Sequence, residues 1–187
     1  MAVGIRNSPI IVLLALLLFS FTGDNKSGAD LSSKEKRLYS LINQYRVKKG
    51  LSKIALSNKL TKVAQLHCQD LEENYKFKSN CNLHSWSNDS SLWNGCCYTS
   101  DHEKASCMWD KPKEITGYSG SGFEIAYFNT ANFKAEAALK AWIKSKGHHK
   151  VIINGGIWKS HKWKAIGIGA SDNFACVWFG KLSDTSK

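Results

Sequence analysis

Arginine is the scarcest charged residue in this chain: Arg6, Arg37 and Arg46 are the only three among 26 basic side chains. Sequence-specific reading of nucleic acid leans on the bidentate arginine fork, so nucleic acid is excluded as a partner. No CxxC pair occurs, which removes zinc knuckles, and no HExxH occurs, which removes the helix-borne zinc-protease motif. Serine and cysteine nucleophiles lack a recognisable context. Carboxylates are missing altogether from Ala137 to Ser171, a stretch that holds Lys140, Lys144, Lys146, Lys150, Lys159, Lys162 and Lys164. There are no internal repeats and no low-complexity tract.

What is present begins with an unbroken apolar run, Ile10 to Phe19, preceded by Arg6 and followed by Ser20, Thr22 and Gly23. The run is short for a membrane span and has the flanks of a secretory signal, so residues 1–23 are expected to be a cleaved signal peptide. No second span follows. The sequence therefore predicts a secreted, extracellular protein with no transmembrane segment in its mature form. Residues 24–33 read as a flexible leader and 183–187 as a tail, which leaves one domain of ordinary size.

Six cysteines in an exported chain imply a disulfide framework: Cys68, Cys81, Cys96, Cys97, Cys107 and Cys176. Four of them fall in a stretch without regular periodicity, where cross-links help most. Their connectivity stays open. Asn25 in "NKS" and Asn88 in "NDS" are glycosylation acceptors. The formal net charge of +11 favours anionic surfaces, a membrane or an acidic glycan, and solubility alone explains it equally well.

Apolar spacing predicts a helix over "KEKRLYSLINQYRVKKG" (34–50), through Leu38, Leu41, Ile42 and Tyr45. A second covers "ALSNKLTKVAQLHCQDLEEN" (55–74), through Leu60, Val63, Ala64, His67 and Leu71, with Ser57 as N-cap. From Tyr75 to Gly122 no period holds, and a long cross-linked loop with a short helix is expected. "GFEIAYF" opens a strand or a short helix. "NFKAEAALKAWIKSKG" is a third helix, and "KAIGIGASDNFACVWFGKL" reads as two strands joined by "ASDN". The last strand is apolar on both faces and belongs inside a covered sheet. The order predicts an α+β, three-layer α-β-α sandwich around a mostly antiparallel sheet, with disulfide-stapled loops.

Four polar positions interrupt apolar surroundings: His84 in "CNLHSW", Glu124 in "SGSGFEIAYF", and the pair His148 and His149 in "SKGHHKVIIN". A carboxylate between Phe123 and Ile125 needs a partner when buried, and an imidazole is the natural one. A histidine oriented by a carboxylate serves equally as a general base, a metal ligand or a structural tie. His102 and Glu103 read as an exposed loop pair.

Six segments in order, "LYSLINQYRVKKGL", "AQLHCQDL", "HSW", "GFEIAYF", "AWIKSKGHHKVIIN" and "AIGIGA" with its closing aromatic strand, resemble the CAP superfamily. These are the cysteine-rich secretory, antigen 5 and pathogenesis-related-1 proteins. The resemblance covers residues 34–182 and implies a single SCP-like domain with a cavity that gathers two histidines and acidic partners. It implies His84 as the first histidine, Glu124 as the glutamate of the "GEN" motif, and His148 as the histidine of "SPGH", with His149 beside it. Two departures stand out. Ser145 occupies the place of a second glutamate, and Ile125 replaces the motif asparagine.

The resemblance implies a non-enzymatic binding protein with defence, venom-like or host-interaction roles. Its cavity of His84, Glu124, Ser145 and His148 would take a hydrophobic ligand such as a lipid or sterol. Zinc or another divalent cation would sit on His84 and His148, with no cofactor required. The alternatives are a metal-dependent hydrolase with Glu124 as base, and a cationic protein that docks on membranes or glycans.

Overall fold

The computed structural model describes residues 30–77 and 79–185, together with Met1. The signal segment, the first six leader positions and Asn25 lie outside these, apart from Met1 itself. The described chain builds α1 (Ser33–Lys48), α2 (Asn58–Asn74), α3 (Ser106–Trp109), α4 (Lys111–Thr116), β1 (Gly122–Phe128), α5 (Ala135–Lys144), α6 (Lys146–Ile152), a 3₁₀ turn (Gly156–Trp158), β2 (Ala165–Ala170) and β3 (Phe174–Gly180).

All seven residues of β3 are buried because β3 is the central strand, with sheet order β1-β3-β2. Both pairings are antiparallel, running from Gly122↔Gly180 to Phe128↔Phe174 on one side and from Ala165↔Gly180 to Ala170↔Ala175 on the other. Strand alternation sorts the side chains into two cores. Phe123, Ile125, Ile166, Ile168, Val177 and Phe179 meet α1, α5 and α6 through Leu38, Ile42, Leu139, Trp142 and Ile152. Phe174, Cys176 and Trp178 meet α2 through Leu60, Val63, Ala64, Cys68 and Leu71. The three-layer sandwich follows from that division.

Two glycines of "AIGIGA" set the distance between α2 and the sheet. A Cβ on Gly167 would lie 2.1 Å from the Leu60 carbonyl carbon, and one on Gly169 2.1 Å from the Ala64 carbonyl oxygen. Helix backbone rests directly on the strand there, so a methyl group has nowhere to go. Gly169→Ala is expected to cost about 1–3 kcal/mol, as overpacked cores do. Urea denaturation would show a lowered midpoint, and an unchanged midpoint would mean that α2 can lift freely.

Sequence and structure differ at both ends of the domain. Residues 30–33, expected as flexible leader, are part of the fold: Leu31 is buried, and Ser32 forms a capping box with Glu35. The Ser32 N–H donates to Glu35 at 2.7 Å, and the Glu35 N–H donates to the Ser32 hydroxyl at 3.3 Å. The tail is anchored as well, since Asp184 accepts from the Asn58 N–H at 2.7 Å and from the Ser57 hydroxyl, at the start of α2. Ser57 is the N-cap, its hydroxyl accepting from the Leu60 N–H at 2.9 Å.

Candidate functional site

Glu124 stands on β1, the edge strand next to β3, and its side chain is fully buried on the α2 side. Each carboxylate oxygen meets one imidazole. Oε1 lies 2.6 Å from His67 Nδ1, and Oε2 lies 2.7 Å from His84 Nδ1. The other nitrogen of His67, Nε2, is 3.0 Å from the Ser85 carbonyl oxygen. A carboxylate and a carbonyl only accept, so both His67 nitrogens donate and the ring is an imidazolium. It forms a buried ion pair with Glu124, stacked against Trp86 with ring centroids 4.1 Å apart and planes 9° from parallel.

The electrostatics agree with that protonation. Burial alone would raise the Glu124 carboxyl, but the His67 charge and hydrogen bonds from His67 and His84 hold it at about 2. Burial alone would lower His67, but the Glu124 charge and hydrogen bonds to Glu124 and Ser85 raise it above its ordinary value.

His84 differs from His67 because it is partly open, its side chain 16% exposed. Its Nδ1 donates to Glu124, and among the described residues Nε2 makes no hydrogen bond. The loop that carries it is tied down from several sides. The His84 N–H donates to Asn82 Oδ1 at 2.9 Å, and Trp86 and Cys96 exchange backbone hydrogen bonds of 2.9 and 3.0 Å. Cys81–Cys97 closes that loop on itself, and Cys96–Cys107 staples it to α3. The six-cysteine framework expected from sequence thus reduces to two bridges. Cys68 and Cys176 are free thiols, buried between α2 and β3.

The paired histidines of "SKGHHK" divide their roles. α5 ends at Lys144, Ser145 turns the chain, and both histidines fall in α6. His148 feels the charges of His84 and Glu124; burial, then the His84 charge, lowers it below its ordinary value. His149 points elsewhere, its Nε2 2.9 Å from the Tyr45 hydroxyl. Among the described residues the Ser145 side chain makes no hydrogen bond to an imidazole; its backbone carbonyl accepts from the His149 N–H at 2.9 Å. His102 and Glu103 are exposed in their loop, as is Asn88.

Two clefts open nearby, and none of His84, Glu124 and His148 lines either one. A polar groove of about 570 Å³ runs past Asp70, Asn74, Trp86 and Asn88. An aromatic cleft of about 380 Å³ is lined by Trp109, Ser121, Phe123, Ile157, Trp158 and His161.

The fold has relatives. The family model of the CAP: Cysteine-rich secretory protein family matches residues 39–173. The chain belongs to that family. The CAP domain is 26% identical over 128 residues to YkwD of Bacillus subtilis (strain 168), an alignment that takes in 67% of this chain and 40% of the relative. It thus spans well under half of that protein's length. Its fold is similar to an extracellular SCP-domain protein of Bacillus anthracis str. Ames, with TM-score 0.54, 19% identity, and 80% of this chain and 40% of the other covered. It is also similar to an outer surface protein of Borrelia burgdorferi, with TM-score 0.55, 20% identity, and 83% and 99% covered. Among the described residues no helix is long and apolar enough to cross a membrane.

One member of this candidate site, His67, is missing from the sequence-based candidates. His67 sits at helical spacing with Leu60, Val63, Ala64 and Leu71, and the periodicity absorbs it into an apolar face. The signal is available all the same. A histidine on the buried stripe of a helix needs a hydrogen-bond partner, and Glu124 needs one too.

Proposed function

We propose that this CAP domain is an extracellular, non-enzymatic binding protein that holds a divalent cation of the zinc class between His84 and His148. The observation that carries the reading is the His84–Glu124 hydrogen bond. It fixes the ring and its tautomer and leaves Nε2 unengaged, the preparation a metal-ligating histidine needs. His148 suits the second place because its lowered pKa keeps it neutral near pH 7. Ser145 makes no contact that would add a third ligand. A bound cation would supply a Lewis-acidic, positive centre for an anionic group.

Hydrolysis with Glu124 as base is the weaker reading. The carboxylate is fully buried, both oxygens are engaged by imidazoles, and it is held at about 2. A general base works best with a pKa near the operating pH.

The aromatic cleft supports an apolar ligand as the second element of the binding function. Trp109 and Ile157 are exposed at 44% and 79% on its walls, and the Lys181 ammonium lies 5.9 Å from the Phe123 ring centroid. An apolar molecule with an anionic group matches both features.

Zinc titration of the folded protein, read by native mass spectrometry and calorimetry, tests the reading. Affinity is expected to fall at least about tenfold in His84→Ala and in His148→Ala, with the circular dichroism unchanged. Equal affinity in both variants would remove the cation site. In the same spectra, a lipid-sized mass excess that is lost in Trp158→Ala would place the apolar ligand in the cleft.

A further inference from the structure

The ion pair has a third neighbour that the proposed binding function does not use. One ligand atom each from His67, Glu124 and Cys176 lie within 4.8 Å of one another, and all three residues are buried. We propose that His67 Nδ1, Glu124 Oε1 and Cys176 Sγ form a second, buried site for a thiophilic divalent cation such as zinc, loaded as the protein folds. It shares Glu124 with the His84–His148 reading but takes its own nitrogen and its own sulfur.

The donor set is nitrogen, carboxylate oxygen and thiolate sulfur, the three ligand types from which zinc sites are built. Each donor stands on a different rigid element: α2, β1 and β3. The surroundings are those of a prepared site. The His67 Nε2–H donates to the Ser85 carbonyl at 3.0 Å, which leaves Nδ1 as the coordinating nitrogen and aims it at Glu124. Oε2 of the same carboxylate accepts from His84, so Oε1 is the one left to share. Trp86 covers the His67 ring and Trp178 lies beside it, with ring centroids 6.2 Å apart. Burial first, then the neighbouring Cys68 and Glu124, push the Cys176 thiol up, so it is protonated until a metal displaces the proton.

Charge balances in both states. Without metal the cluster is an imidazolium, a carboxylate and a neutral thiol, with net charge zero. Binding a divalent cation releases two protons, from His67 Nδ1 and from the Cys176 thiol. The cation, carboxylate, thiolate and neutral imidazole again sum to zero, so the low-dielectric interior holds either state without a stray charge. The space must adjust, because 2.6 Å between Nδ1 and Oε1 is a hydrogen bond and two zinc ligands stand about 3.3 Å apart. None of the three side chains is open to solvent. The ion therefore enters before α2 closes on the sheet, unlike an ion at the partly open His84.

The test is refolding from guanidinium with cobalt(II) and no reductant, so that the two disulfides persist. Expected is one thiolate-bound cobalt per chain, with thiolate-to-cobalt charge-transfer absorption, beside the ion that His84 and His148 hold. That absorption is retained in the His84→Ala/His148→Ala double variant and lost in Cys176→Ser. Cobalt added to the already folded protein should give no such band. X-ray absorption on the zinc-refolded wild type needs no variant to fold, and should show a sulfur shell at about 2.3 Å. Several results would overturn the proposal: a metal shell of nitrogen and oxygen only, a thiolate band that survives Cys176→Ser, or no metal retained. So would a mass lower by two further hydrogens, which would mark a third bridge between Cys68 and Cys176. Failure of the His84–His148 reading would look different, as thiolate-bound metal with no metal taken up by the folded protein.

Discussion

Glu124→Gln is expected to lower folding stability by about 3–5 kcal/mol, the range for breaking a buried ion pair by removing one partner. The carboxylate accepts from two imidazoles, and His67 is fully buried with its second nitrogen already given to Ser85. A glutamine amide offers one acceptor where two are needed, and turns an NH₂ group against a ring N–H. The buried imidazolium then loses its counter-ion and must shed a proton, leaving one ring nitrogen facing the amide. Urea denaturation of the wild type and the variant at neutral pH measures the difference. A loss under about 1 kcal/mol would mean that His67 is not charged in the folded protein.

Stability should also fall away on both sides of neutrality. Glu124 titrates at about 2 when folded, against its ordinary 4.5, so between those values the unfolded chain binds more protons than the folded one. The Glu124 contribution is complete above about 4.5 and is lost as pH falls toward 2, an acid limb worth about 3 kcal/mol. His67 runs the other way. Its folded value is raised above 6.5, so its contribution is whole below 6.5 and is lost as pH rises through the raised value. The two limbs report one coupled pair and do not add. Urea midpoints across about pH 2 to 9 should trace a plateau with two falling edges, both shallower in Glu124→Gln, where other carboxylates still titrate. Superimposable profiles would assign the acid limb to those other groups.

How far the sequence discloses this molecule depends on how local each determinant is. The long helices are readable because Leu38 with Ile42, and Leu60 with Val63 and Ala64, repeat at the helix period. β3 is readable as central because both its faces are apolar. β1 is harder: seven residues of "GFEIAYF" suit a strand or a short helix until the partner is known, and the partner lies some fifty residues on. His84 and Glu124 declare themselves as polar residues among apolar ones. His67 does not, because a helical stripe absorbs it. Choosing His148 over His149 needs the turn at Ser145, which sets where α6 points. The cysteine pairing depends on which loop folds against which helix, and only assembled coordinates contain that.

Because β3 lies between β1 and β2 yet follows both along the chain, a chain still emerging from the ribosome cannot close this sheet until β3 is made. β1 and β2 flank an empty lane until Phe174–Gly180 arrives, and α2 lacks the part of its floor that β3 supplies. Long-range pairings of this kind form slowly and late. Synthesis alone therefore completes neither core, and the ion pair that joins α2 to β1 closes only after the final strand is inserted.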